Sequence, residues 1–124
     1  VKTVNGTQHY TLEEYWHLKG TKTGENKYHA VKTMVDGITF DSKAESRRYD
    51  ELKLLLNAGL LKGFACQPSF ILPGGIRYRP DFIVCDASGL IWAEDVKGIR
   101  TQAFALKQRL WAVSYPWLEL RIVD

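Results

Sequence analysis

Residues 80–97 constrain the fold more than any other stretch, because they read as two apolar arms around a short loop. The first arm is Pro80-Asp81-Phe82-Ile83-Val84-Cys85-Asp86 and the second is Leu90-Ile91-Trp92-Ala93-Glu94-Asp95-Val96-Lys97, with Ala87-Ser88-Gly89 between them. Apolar, β-branched arms joined by three residues ending in glycine predict a β-hairpin whose last loop residue takes positive φ. Folding the arms back about Ser88 sets Asp81 opposite Asp95. Residues facing across an antiparallel pair have Cβ atoms about 4.5–5.5 Å apart, so two like charges there repel. Either one acid is protonated or a hard cation such as Mg²⁺ binds them, taking carboxylate oxygens and keeping waters and substrate phosphate as its other ligands. Strand alternation puts Lys97 on the side of Asp95 and turns Glu94 and Val96 the other way. The candidate site is therefore Asp81, Asp95 and Lys97.

A helix is expected over Ser42–Ala58, stopped by Gly59. Ser42-Lys43-Ala44-Glu45 has the form of a capping box, in which Ser42 and Glu45 satisfy free N–H groups of the first turn. Glu45 also heads the stripe Glu45, Tyr49, Leu52, Leu56, whose leucines are expected to face the core. An acid on a buried face close to other acids is costly unless it meets a cation, so the site reading of Glu45 is preferred to the capping one. Arg47, Arg48 and Lys53 fall mainly off that stripe and are expected in solvent.

Upstream, Thr11–Leu18 reads as a short helix with Thr11 as its N-cap, and residues 19–27 as a polar, basic linker. Tyr28–Val35 and Ile38–Phe40 flank Asp36-Gly37, a favoured two-residue hairpin turn. A loop this basic reads first as solvated, with phosphate contact the lesser alternative; Lys32 and linker lysines such as Lys27 would extend a basic edge, while His29 reads as an ordinary surface histidine. Downstream, Leu60–Phe64 leads into an expected first sheet strand over Gln67–Leu72, ended by Pro73-Gly74-Gly75. Gln67 reads equally as a DNA contact near the site or as a sheet-edge amide. Arg77 and Arg79 share one side of the strand entering the hairpin, close to where a phosphate would lie. Thr101 is expected to cap a helix to about Ser114. Lys107 interrupts the apolar face of that helix, and its place directly after the Asp95 strand favours substrate contact over snorkelling. Trp117–Val123 alternates as a final strand. The order helix, three strands, helix, strand predicts an α/β fold with a mixed β-sheet flanked by helices, preceded by an N-terminal helix and a hairpin.

The chain has 124 residues and a formal net charge of +3. That length suits one domain, read as residues 28–124 behind an N-terminal helix and linker at 1–27. The charge permits a nucleic-acid partner without requiring one. Cys66 and Cys85 lie in apolar contexts without metal-ligand spacing, so they read as buried free thiols of a reduced compartment. No apolar run approaches the roughly 20 residues of a membrane span, and the start carries no signal-peptide pattern.

Pro80-Asp81 followed by Asp95-Val96-Lys97 on the paired strand resembles the signature of the PD-(D/E)xK nuclease superfamily. The likeness extends over nearly the whole chain and is closest to small phage-encoded endonucleases grouped with Holliday-junction resolvases. Asn26-Lys27-Tyr28, the run from Gly37 to Glu45, Gln67-Pro68, Asp81-Phe82 and Glu94-Asp95-Val96-Lys97-Gly98 carry it. The resemblance implies a restriction-endonuclease-like core and an active-site set of Glu45, Asp81, Asp95 and Lys97. It also implies Mg²⁺ or Mn²⁺ held by Asp81, Asp95, the Val96 carbonyl and Glu45. The implied activity is endonucleolytic hydrolysis of DNA, branched DNA above all, by a homodimer in the cytoplasm of a phage's host. A phage nuclease of another use, in packaging, host DNA breakdown or restriction, and a DNA-binding module with an inactive site are the rival readings.

Overall fold

The computed structural model describes residues 2–4, 7–11 and 32–124. The chain divides into two compact units, 1–53 and 54–124. Lys27, His29, the basic linker and the expected boundary at residue 27 lie outside the described residues, as does the expected helix after Thr11. Thr11 itself is the last residue of a strand.

In the first unit, β1 (Lys2–Val4), β2 (Thr7–Thr11), β3 (Thr33–Val35) and β4 (Ile38–Phe40) form an antiparallel sheet in that order. The β3–β4 turn is the expected one. Asp36 and Gly37 have φ of 52° and 78°, as a two-residue turn matched to strand twist requires. Val35 pairs with Ile38 directly across it. Helix α1 (Lys43–Asn57) follows. The Asp36 carboxylate accepts hydrogen bonds from the Tyr49 hydroxyl and the Lys53 ammonium, both at 2.8 Å, so the turn is tied to the helix and Lys53 is not simply solvated. Val35, Phe40, Tyr49 and Leu52 are buried, with the Phe40 and Tyr49 rings 5.3 Å apart. Leu56, expected in the core, is 37% exposed, whereas Ser46 and Asp50 are buried. Periodicity gives the direction of a helix face, but not how far along the helix its neighbours extend. Gly59, at φ 79°, ends the helix with Leu60 N–H on the Leu55 carbonyl at 3.0 Å, as expected.

The second unit contains β5 (Leu61–Cys66), β6 (Phe70–Leu72), β7 (Ile76–Tyr78), β8 (Phe82–Asp86), β9 (Ile91–Val96), helix α2 (Gln102–Ser114) and β10 (Glu119–Val123). Four of the strands make a mixed sheet in the order β10-β9-β8-β5, with β9 and β10 parallel and the other pairs antiparallel. The first sheet strand is therefore Leu61–Cys66 and not Gln67–Leu72. The chain turns at Gln67, whose φ is 53°, and passes through Pro68, so Phe70–Leu72 pairs with Ile76–Tyr78 as a separate hairpin instead. Weak apolar patterning hid β5, whose register shifts between Leu61 and Gly63.

Leu72, Tyr78, Ala93, Phe104, Trp111 and Leu118 form the core of this unit. Burial of a large apolar side chain contributes about 1.5–3 kcal/mol, so Phe104 and Trp111 anchor α2 there. Thr101 caps α2 by accepting the Phe104 N–H at 3.1 Å, as expected. The Trp111 indole N–H donates to the Leu118 carbonyl at 2.8 Å, fixing the turn before β10. Trp117 belongs to that turn, not to the strand, and is 75% exposed. The described residues thus form an α/β protein with a mixed sheet and two helices. No helix among them is long and apolar enough to cross a membrane.

Candidate functional site

The β8–β9 hairpin has the register expected from a fold-back at Ser88. Phe82 pairs with Glu94, Val84 with Trp92 and Cys85 with Ile91. Gly89 takes the positive φ that closes the loop, at 95°. Asp86 braces the loop from within, its Oδ1 accepting from Ser88 N–H at 2.9 Å, the Ser88 hydroxyl at 2.6 Å and Leu90 N–H at 3.0 Å. The Ser88 hydroxyl, aided by these N–H groups, holds the Asp86 carboxyl below the ordinary carboxylate range.

At the open end, Asp81 lies one residue beyond the last ladder pair. Its N–H donates to the Glu94 carbonyl at 2.9 Å, and its own carbonyl accepts Gln67 N–H at 2.8 Å. Its carboxylate turns to β9, where Oδ2 accepts the Val96 N–H at 2.7 Å. Asp95 is 1% exposed. The Tyr78 hydroxyl donates to its Oδ2, and the Lys97 ammonium lies 3.5 Å from the same oxygen. Lys97 keeps partial exposure, with its Nζ 4.9 Å from the centre of the Phe104 ring. Burial first, then the bond to Asp95 and the negative charges of Asp95 and Asp81, push the Tyr78 phenol far up, so it remains a neutral donor. Both acids therefore act on one phenol, and this strand end gathers Asp81, Asp95 and Lys97 as expected.

Glu94 points to the opposite side of β9. Equally buried at 1% exposure, it accepts the Trp92 indole N–H at 2.8 Å. Alternation thus separates two adjacent acids into two environments.

Of the expected DNA contacts, Gln67 and Arg79 meet each other, the Arg79 guanidinium donating to Gln67 Oε1 at 3.0 Å. Gln67 is in turn bound through its N–H to Asp81, so this pair stands beside the acids. Lys107 comes from α2 to 5.8 Å above the Tyr78 ring. Arg77 is exposed on β7 opposite Ile71, and among the described residues no hydrogen bond or ion pair ties it to the acids. Lys32 and Glu45 belong to the first unit. The Lys32 ammonium lies 3.9 Å from Asp41 Oδ1. Glu45 N–H donates to the Ser42 hydroxyl, and Glu45 Oε2 accepts Asp41 N–H, both at 3.2 Å. The capping alternative therefore forms, with its return bond one residue earlier than the standard box.

Residues 25–124 match the model of a family described as "Protein of unknown function (DUF1064)". The chain belongs to that family. No curated protein and no solved structure matches it. The matched span takes in every described candidate residue, from Lys32 to Lys107.

In this family member, no group of three or more His, Cys, Asp and Glu side chains among the described residues stands close enough to enclose a metal ion. The donor set at the hairpin end is two carboxylates beside the Val96 peptide. That suits a hard cation such as Mg²⁺, which is commonly bound by one or two carboxylates while water and phosphate complete its shell. Tyr78 is the residue that sequence reasoning passed over. Alternation turns it away from Arg77 and Arg79 into the core, and a buried tyrosine hydroxyl needs a polar partner. That requirement was the available signal, but nothing in the spacing named Asp95 as the partner.

Proposed function

We propose that this chain is a Mg²⁺- or Mn²⁺-dependent endonuclease of the PD-(D/E)xK kind, hydrolysing DNA phosphodiester bonds. The observation that carries the reading is the convergence of Asp81, Asp95 and Lys97 on one hairpin end, with Lys97 3.5 Å from Asp95. The order α1, β5, β8, β9, α2, β10 supports it, being the helix, three strands, helix, strand of a restriction-endonuclease-like core. In this reading the substrate is branched DNA, as for Holliday-junction resolvases, and a homodimer supplies one site for each of two strands. The setting is phage DNA processing in the host cytoplasm.

Asp81, Asp95 and the Val96 carbonyl would hold the cation. Bound there, a divalent cation supplies a water of lowered pKa and neutralises charge on the phosphate. Lys97 orients the attacking water and stabilises negative charge on the phosphate oxygens. Arg79, Gln67 and Lys107, together with Arg77 and the upstream Lys32 and Lys27, contact the DNA and orient it.

Cleavage of four-way junctions, flaps, linear duplex and single strands, each with and without Mg²⁺, tests the reading. Metal-dependent cutting of the branched substrates is expected. Equal cutting of linear duplex would remove the branched preference and favour another nuclease use. Binding without cutting in either metal would favour the DNA-binding module.

A further inference from the structure

Asp95 cannot orient its own carboxylate. The terminal torsion of an aspartate is broad, so its plane is set by whatever donates to its oxygens. Lys97 approaches Oδ2 at 3.5 Å on a flexible stem and remains partly exposed. Tyr78 is different. Its ring is buried in the core, 5.9 Å from Trp111 and 6.5 Å from Phe104, with the Lys107 ammonium above it. Packing therefore places its hydroxyl before any ligand arrives. That hydroxyl donates to the oxygen Lys97 approaches, so both donors take one side of the carboxylate.

Resting on the nuclease reading, we infer that Tyr78 is the positioning residue of the site. Its hydroxyl holds Asp95 by Oδ2, aims Oδ1 at the cation, and so sets how strictly the site favours Mg²⁺ geometry. Mg²⁺ demands near-ideal octahedral coordination at about 2.0–2.1 Å, so it is the ion most sensitive to a loosened carboxylate. Groups that orient a metal ligand from outside the coordination shell typically matter by about 10–100-fold in affinity or activity. Tyr78 reaches Asp95 from β7, a strand outside the mixed sheet, so this hairpin links the core to the site.

Tyr78→Phe removes the hydroxyl and keeps the ring. Tyr115→Phe is the matched control, since it removes a tyrosine hydroxyl bonded at 2.9 Å to the Ile71 carbonyl. Mn²⁺ affinity, followed by the spin-resonance signal of the free ion, is measured for both variants and the native protein. Cleavage rate and KM are measured in Mg²⁺ and in Mn²⁺, with the melting temperature. Tyr78→Phe is expected to weaken Mn²⁺ binding by about tenfold or more. Its cleavage rate should fall further in Mg²⁺ than in Mn²⁺, with KM for DNA unchanged. Tyr115→Phe should shift only the melting temperature. In an Asp95→Asn background, Tyr78→Phe should have almost no further effect on Mn²⁺ binding. Native Mn²⁺ affinity and native metal preference in Tyr78→Phe would overturn the inference while leaving the nuclease reading standing. A native protein that neither binds Mn²⁺ nor cleaves would overturn both.

Discussion

At the loop end of the β8–β9 hairpin, the Asp86 carboxylate lies at the surface and takes its donors from Ser88 and Leu90, within four residues of itself. At the open end, Asp95 is buried, pairs with the Lys97 ammonium at 3.5 Å and takes its hydrogen bond from Tyr78, seventeen positions earlier on another hairpin. One carboxylate is held by its own turn and the other by the tertiary structure. The difference assigns their work. Local donors close a loop that water could also satisfy, whereas a buried acid held by a phenol and an ammonium is fixed for a ligand or is costly to keep. Glu94 is as buried as Asp95 but faces the other side of β9, where it accepts the Trp92 indole N–H.

The largest expected effect comes from the open end. Asp95→Asn or Lys97→Ala should lower cleavage by more than the about 10–100-fold that an orienting partner costs. The fold and much of the DNA binding should remain, because neither change empties the core. Near-native cleavage by either variant would remove these residues from the site.

Asp81→Asn should separate charge from structure. Without metal it relieves like-charge repulsion and should be neutral or stabilising. A cation that binds the folded site alone stabilises by about 2.7 kcal/mol at a hundredfold excess over its Kd, and the variant should lose most of that shift. Melts of both proteins in chelator and in excess Mn²⁺ measure it; equal metal shifts would show that Asp81 does not bind the ion.

Glu94→Gln should leave cleavage near the native rate and change stability by no more than about 1–3 kcal/mol, because it faces away from Asp95 and the amide oxygen keeps an acceptor for the Trp92 N–H. Denaturant unfolding and the cleavage assay together read this out. An activity loss as deep as that of Asp95→Asn would reverse the assignment of the two strand faces.

The smallest effect belongs to Asp86. Its carboxyl is held below the ordinary value, so its contribution to stability is present above the unfolded value of about 4 and is lost as pH falls through the lowered folded value. Asp86→Asn should lower the melting temperature slightly near neutral pH, converge with the native protein in acid, and so flatten the acid-side decline. A scan of melting temperature against pH that keeps the native slope would show that the loop bonds carry no linkage.

The sequence by itself determined the features whose hydrogen bonds close within a few residues. These are the Asp36-Gly37 turn, the Ser88-centred hairpin with Gly89 at positive φ, the Thr101 cap, the Gly59 stop, and the opposite facing of Glu94 and Asp95. Turn geometry fixes register, and register fixes faces, so Asp81, Asp95 and Lys97 were legible as a group before any tertiary contact was known. Tertiary structure alone decided that Leu61–Cys66, not Gln67–Leu72, enters the sheet and that Leu56 stays exposed. It alone brought Tyr78 to Asp95. Those outcomes depend on which distant surfaces meet, and a one-dimensional pattern of apolar and polar residues specifies the direction a side chain faces without specifying its partner.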